Sequence, residues 1–325
     1  MAVKILGNIY ENVEKVPTRD GLGKGLVELG ARNKNVVALC CDLVESTRVN
    51  WFSEKFPDRY FEVGVSEQNM AGVAAGMAAE GKIPFIASYA VFSPGRNWDQ
   101  IRISICYSQN NVKIIGAHAG ISVGPDGATH QALEDIAITR CLPHMVVLSP
   151  CDWIEAKKAT IAMGEMKGPA YIRLSRDKVP VVTSEDTPFK LGRAEVFRDG
   201  TDVTVVATGQ LVYEALIAAK QLEKEGISVR VIDLHTIKPI DKDTLIEAAK
   251  ETGAIVCAEE HQITGGMGSA VAEVLSENYP VPVKYVGIKD RFGESGLPDE
   301  LLVKFGLKST DIIEKAREAI GMKRK

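Results

Sequence analysis

The 325-residue chain contains no apolar run approaching the ~18 residues that a membrane helix requires, which argues against a helical span. Its N-terminus has neither an apolar signal core nor a small-residue cleavage site, so a cytoplasmic protein is expected. Excess charge is also missing. The formal net charge is -4 with both signs interspersed, which leaves no basic face for a nucleic acid or an anionic membrane. The short basic end, Lys323, Arg324 and Lys325, is expected to be a solvated tail. Six cysteines (Cys40, Cys41, Cys106, Cys141, Cys151 and Cys257) occur without a CxxC pair or a Cys/His metal spacing. No metal ligands are therefore assigned, and most of the thiols read as small core hydrophobes. Low-complexity segments and internal repeats are absent.

What is present is an ordinary globular composition, 45% hydrophobic and 25% charged, in a chain longer than one core usually spans. Two domains are expected. Short continuous apolar runs at 35–41, 60–65, 83–88, 112–117, 145–149 and 170–174 alternate with helical spacing at 19–33, 66–80, 96–108, 131–140 and 152–164. That alternation predicts a parallel sheet covered by helices on both faces. The rhythm lapses between Asp177 and Gly192, where two prolines and several charges interrupt it, and 181–192 is taken as a linker. Strand-like runs near 202–208, 227–233, 254–260 and 281–288 then alternate with further helices. The fold class is thus α/β with two domains, 1–180 and 193–325, each a mostly parallel sheet flanked by helices.

In open α/β sheets the ligand crevice lies beyond the carboxyl ends of the strands. This rule selects the loops 42–47, 65–69, 88–95, 118–130 and 175–177, which carry Asp42, Ser46, Glu67, Tyr89, Phe92, His118, Asp126, His130 and Arg176. Glu67 follows Ser66, a good N-cap, and opens a helix of Ala, Gly and small apolar residues that is expected to pack on several sides. The run from Phe61 to Val65 before it reads as a buried strand. Glu67 has two readings, a carboxylate complementing the helix dipole or a functional acid at a crowded junction. His118 and His130 share a loop with Asp126 and three glycines, which suits hydrogen bonding and proton transfer but equally a structural loop. Tyr89 and Phe92 fit core packing or a flat ligand, and Arg19 and Arg176 fit an anion clamp or surface ion pairs. The GGMGS turn at 265–269 lacks a phosphate-loop pattern, so close packing of helix on sheet is expected there.

Taken together, EVGVSEQNMAGVAAGMA, SYAVF, AHAGISVGPDGATHQALEDIA, RLSRD, VIDLHTIKPID, EEHQITGGMGSAVAEVL and DRFGESG resemble, in order and spacing, the pyrimidine-binding and C-terminal domains of transketolase over nearly the whole chain. The resemblance implies a thiamine-diphosphate enzyme that moves a two-carbon ketol unit from a ketose phosphate to an aldose phosphate, with the pentose phosphate pathway as its setting. It implies that Glu67 hydrogen-bonds the aminopyrimidine of thiamine diphosphate, that Tyr89 and Phe92 pack on that ring, and that Asp42 lies near the thiazolium. Full-length transketolases often have Phe where Tyr89 stands. His118, Asp126 and His130 would meet the sugar's hydroxyls and reacting oxygen, with His118 and His130 as proton carriers. Arg19, Ser46 and Arg176 would hold the sugar phosphate. Thiamine enzymes also carry a GDG motif for the diphosphate and its Mg or other divalent cation, and this chain has none; PDG at 125–127 and RDG at 198–200 stand in the wrong contexts. An N-terminal transketolase subunit bearing GDG is therefore the expected partner, in a heterotetramer of two copies of each chain.

Two related enzymes compete with this reading. 1-Deoxyxylulose-5-phosphate synthase shares the AEGxxP and DGxTHQ-like patterns but usually has Arg in place of His118 and lacks the DRFGESG ending. The beta subunits of 2-oxo-acid dehydrogenases share the size and domains but lack the GPDGATHQ loop. A non-catalytic regulatory or scaffolding subunit is the alternative outside enzymes, and the presence of Glu67, His118 and His130 argues against it.

Overall fold

The apolar runs form two largely parallel sheets in a computed structural model that describes residues 2–323. Arg324 and Lys325 of the expected tail lie outside the described residues. In chain order the strands are β1 (Lys15–Pro17), β2 (Val36–Cys40), β3 (Tyr60–Glu62), β4 (Ile83–Tyr89), β5 (Lys113–Ala117), β6 (Val146–Leu148), β7 (Ala170–Arg173), β8 (Lys178–Pro180), β9 (Glu195–Arg198), β10 (Val203–Ala207), β11 (Val229–Asp233), β12 (Thr236–Lys238), β13 (Ile255–Gln262) and β14 (Val283–Ile288). The first sheet runs β12-β6-β7-β5-β4-β2-β3, and the second runs β14-β13-β10-β11-β9. Among the described residues of these two sheets, only β12 and β9 pair antiparallel with their neighbours, and β1 and β8 form a separate antiparallel pair. Every residue of β2, β5, β7 and β10 is buried, as parallel strands under helices on both faces require.

Small residues let the covering helices come close. A Cβ added to Gly21 of α1 (Thr18–Arg32) would lie 1.9 Å from the carbonyl oxygen of Trp153, so this helix pair touches backbone to backbone. The helix Trp153–Glu165 is capped by Asp152, whose Oδ1 accepts from the Glu155 N–H at 2.9 Å. The other oxygen, Oδ2, accepts from the N–H groups of Val182 and Thr183 at 2.8 and 2.6 Å. The stretch after Asp177 is thereby stitched to the first sheet's helices, and β8 pairs with β1. Gly268 of the GGMGS turn faces Tyr285 and Cys257, and the Glu259 carboxylate accepts from the N–H groups of Met267 and Gly268, so the turn packs helix on sheet as expected. Five of the six cysteines are buried and Cys141 is exposed.

Several local expectations are corrected. The strand expected over 60–65 ends at Glu62, with Phe61 39% and Val65 70% exposed, because β3 is the outer strand and pairs with β2 alone. Ser66 occupies the N-cap position of α3 (Glu67–Ala79), after α2 (Asn50–Lys55) the third helix, but its side chain makes no capping bond and its hydroxyl donates to the Val63 carbonyl at 2.7 Å instead. Within this chain α3 is packed on one side only, since Gln68, Asn69, Gly72, Val73 and Gly76 face outward. The helix expected over 96–108 is a short turn, Trp98–Gln100, that widens into a π-helical segment, Ile101–Tyr107. The helix expected over 131–140 starts at Asp135, because 131–134 is used to bridge the loop at 119–120.

The two sheets are joined through polar groups as well as through β12. The buried Arg173 donates through Nε to both oxygens of Asp135 at 3.2 and 3.0 Å, and through Nη2 to the Glu260 carbonyl at 2.7 Å. Tyr171 donates to Asp135 at 2.7 Å. Glu155 and Asp233 also meet across the join, within 4.8 Å of one another, where burial raises both carboxyls above the usual carboxylate range. Asp135→Ala leaves the Arg173 guanidinium buried without its carboxylate, and breaking such a pair costs about 3–5 kcal/mol. Urea denaturation of the variant is expected to show a loss of that size, with both sheets affected.

Candidate active site

Five neighbouring strands, β7-β5-β4-β2-β3, end on one edge of the first sheet, and their following residues carry the candidate side chains. Parallel pairing fixes this convergence, because all the carboxyl ends then point the same way.

Glu67 stands in the first turn of α3 with its side chain 1% exposed. Its Oε1 accepts from the Ser88 hydroxyl at 3.0 Å, and its Oε2 accepts from Arg96 Nη1 at 2.7 Å. The Asn97 side chain donates to the Glu67 carbonyl at 3.2 Å and to the Ser93 hydroxyl at 3.1 Å. The Arg96 guanidinium lies 4.5 Å from the centre of the Phe92 ring, which links the carboxylate to the aromatic residues. Ser88, Arg96 and Asn97 were not singled out in the sequence. Their role rests on the fold-back of 93–97 onto α3, and a single arginine in a loop carries no local sign of it.

Tyr89 and Phe92 lie near parallel, with ring centres 6.0 Å apart. His118 stacks on Tyr89 at 3.9 Å, and His130 meets Phe92 edge-on at 5.5 Å. Arg19 Nη1 donates to the Ser46 carbonyl at 2.7 Å and to His118 Nε2 at 3.3 Å. A guanidinium only donates, so Nε2 is the acceptor and the ring proton sits on Nδ1. That Nδ1 is buried and has no partner, as is Arg19 Nε. Burial first, then the positive charges of Arg19, Arg176 and Arg48, pushes His118 down to about 3. His118 is therefore a neutral hydrogen-bond donor near pH 7, with no acceptor among the described residues.

Arg176 pairs with Asp126 at 3.0 Å and donates to the Val123 carbonyl at 2.7 Å. Thr129 Oγ1 lies 2.9 Å from His130 Nδ1. The N–H groups of Asp42 and Gly64 both donate to Glu62 Oε1 at 2.8 Å. Asp42 is exposed on the same edge, and among the described residues no hydrogen bond joins its carboxylate to the other candidates. The fold thus gathers Arg19, Ser46, Tyr89, Phe92, His118 and His130 through direct contacts, attaches Glu67 through Arg96, sets Asp126 against Arg176, and leaves Asp42 at the edge. Such a cleft offers a fixed buried carboxylate, an aromatic wall, unpaired buried donors and guanidinium charge, which suits a flat heteroaromatic ring beside an anionic polyol.

Residues 14–182 match the family described as transketolase, pyrimidine binding domain, and residues 192–312 match transketolase, C-terminal domain. The chain is 42% identical to a protein of Methanocaldococcus jannaschii named as a transketolase C-terminal section, over 96% of this chain and 98% of that one. It is 44% identical to a 6-deoxy-6-sulfo-D-fructose transketolase subunit of a Clostridium species, over 90% of this chain and 91% of that one. A solved structure described as a split gene transketolase, inactive beta4 tetramer, is 50% identical and superposes with a TM-score of 0.90, over 95% of this chain and all of that one. The matches cover both domains and nearly the whole chain, and the chain belongs to the transketolase family as a subunit of a split transketolase.

Proposed function

We propose that this chain is the half of a thiamine-diphosphate-dependent transketolase that holds the aminopyrimidine and the sugar phosphate, while an N-terminal chain holds the diphosphate and a divalent cation. The observation that carries the reading is the buried Glu67 carboxylate, fixed by Ser88 and Arg96 beside the Tyr89–Phe92 wall, together with the unpartnered His118 Nδ1. A buried, fixed acceptor beside an aromatic wall fits the edge and face of an aminopyrimidine. The chemistry that thiamine diphosphate supplies when bound is transfer of a two-carbon ketol unit between sugar phosphates. Glu67 would hold the ring edge, Tyr89 and Phe92 the ring face, and Asp42 would lie nearest the thiazolium.

His118, kept neutral, would donate its Nδ1 proton to a sugar oxygen, and His130 and Asp126 would meet further hydroxyls and carry protons. Arg19, Ser46 and Arg176 would hold the anionic end of the sugar. Guanidinium donors can hydrogen-bond the oxygens of a sulfonate as they do those of a phosphate. The sulfosugar named for the Clostridium relative therefore makes a sulfonate a second candidate beside phosphate.

The missing GDG motif supports dependence on a partner, as does the inactivity named for the related one-chain tetramer. The open face of α3 suits such a contact. Gly72 and Gly76 have nothing within 4 Å of where a Cβ would stand, so another backbone could approach closely, and Val65, Val73, Ile103 and Tyr107 leave apolar surface nearby. An assembly of two copies of each chain would cover it.

Mixing the chain with its co-purifying partner, thiamine diphosphate and a divalent cation is expected to give transfer from xylulose 5-phosphate to ribose 5-phosphate; turnover of pyruvate alone would sink the proposal. In that complex Glu67→Ala should abolish transfer while the thermal midpoint stays within a few degrees. Calorimetry on the isolated chain should detect only weak binding of thiamine diphosphate with or without a divalent cation, since the anionic end finds no site here. Nitrogen-15 spectra of labelled histidine should show His118 neutral, with the proton on Nδ1, from pH 8 down to at least pH 5, because its pKa is pushed down to about 3. An imidazolium signal for His118 at pH 6 would contradict this.

A further inference from the structure

The loop that carries His118 and His130 is not held by its own domain alone. Glu260, at the far end of β13 in the second sheet, is 4% exposed and points its carboxylate into the loop. Its Oε1 accepts from the Ser122 N–H at 2.6 Å, and its Oε2 accepts from Gln210 Nε2 at 2.5 Å. Gly120, with φ of +90°, lies so close that an added Cβ would stand 2.3 Å from the carboxyl carbon of Glu260. Only glycine both adopts that angle and leaves that space.

The peptide carbonyl of Glu260 is bound as well, by Arg173 Nη2, which also reaches the Ala132 carbonyl at 3.3 Å. Glu260 thus touches the loop two residues beyond Gly120, and its Arg173 contact reaches the loop's exit at Ala132. Gln131 closes the other side. Its Nε2 donates to the carbonyls of Ile121 and Glu294 at 3.1 and 2.9 Å. A buried carboxylate here does what an exposed one could not, because in a low-dielectric setting a charge-assisted hydrogen bond fixes one loop position rather than several.

We propose that Glu260 is a positioning residue of the second domain that sets the His118–His130 loop for the reaction, so that one function of this domain is to build the sugar site of the first. The inference rests on the reading of that loop as the sugar-binding loop, but it has a test that does not need activity. In Glu260→Ala the Ser122 N–H loses its acceptor. Amide exchange at residues 120–124 of the isolated chain is then expected to quicken by about tenfold or more, while β2 and β10 keep their wild-type rates.

Glu260→Gln keeps an acceptor for Ser122, and the Gln210 amide can turn to accept from the new side chain, so exchange should stay within about threefold of wild type. In the reconstituted complex Glu260→Ala should lower kcat by about tenfold and Glu260→Gln should restore most of it. Unchanged exchange at 120–124 in folded Glu260→Ala overturns the proposal. So does faster exchange spread through the whole chain, or equal effects of Ala and Gln. If the exchange pattern holds while the wild-type complex fails to transfer a ketol unit, the transketolase reading falls and the positioning role stands.

Discussion

The buried guanidinium of Arg173 is the constraint on which the rest of the molecule depends. It sits at the end of β7, inside the first sheet, yet its donors go to Asp135, to Ala132 and to the backbone of Glu260 in the second sheet. A charge removed from water must be met by acceptors, and here the acceptors come from two separate parts of the chain, 132–135 and Glu260. Burial lowers the pKa of Arg173, but Asp135 and Glu260 raise it by more, so the guanidinium stays charged in the interior. The consequence is geometric. The two sheets and the loop between His118 and Ala132 are bound to one planar group, and none can shift without leaving a hydrogen bond unmade.

From that frame the polarity of the cleft follows. Burial depresses the basicity of His118 most, and the nearby charges of Arg19, Arg176 and Arg48 add to that effect. A positive field around a neutral imidazole attracts an anionic ligand while keeping the imidazole free to donate a hydrogen bond. On the other side of the aromatic wall the Glu67 carboxylate is balanced by Arg96. Opposite arrangements thus stand on the two sides of Tyr89 and Phe92, a fixed acceptor on one and buried donors on the other.

Much of this was legible in the sequence. Continuous apolar runs gave two parallel sheets because burial on both faces leaves no polar positions, and the rule of carboxyl ends then selected the loops that converge. Lines of residues such as AHAGISVGPDGATHQ carried the family, since this loop brings His118 and His130 to one site. Errors fell where neighbours in space decide. Val65 reads as core by its composition, yet the outer position of β3 exposes it, and Ser66 reads as a capping side chain, yet its hydroxyl donates to the Val63 carbonyl.

What the sequence by itself determined was the class of fold, the family and the types of residue in the cleft, because periodicity and motif spacing are properties of the chain. Only the tertiary structure decided which groups hold them. Arg96 on Glu67, Arg19 on His118 and Glu260 on Ser122 join residues 29, 99 and 138 positions apart. Nothing local encodes such pairs, since a hydrogen bond formed by folding depends on where the backbone carries each partner and on how much water is excluded around it.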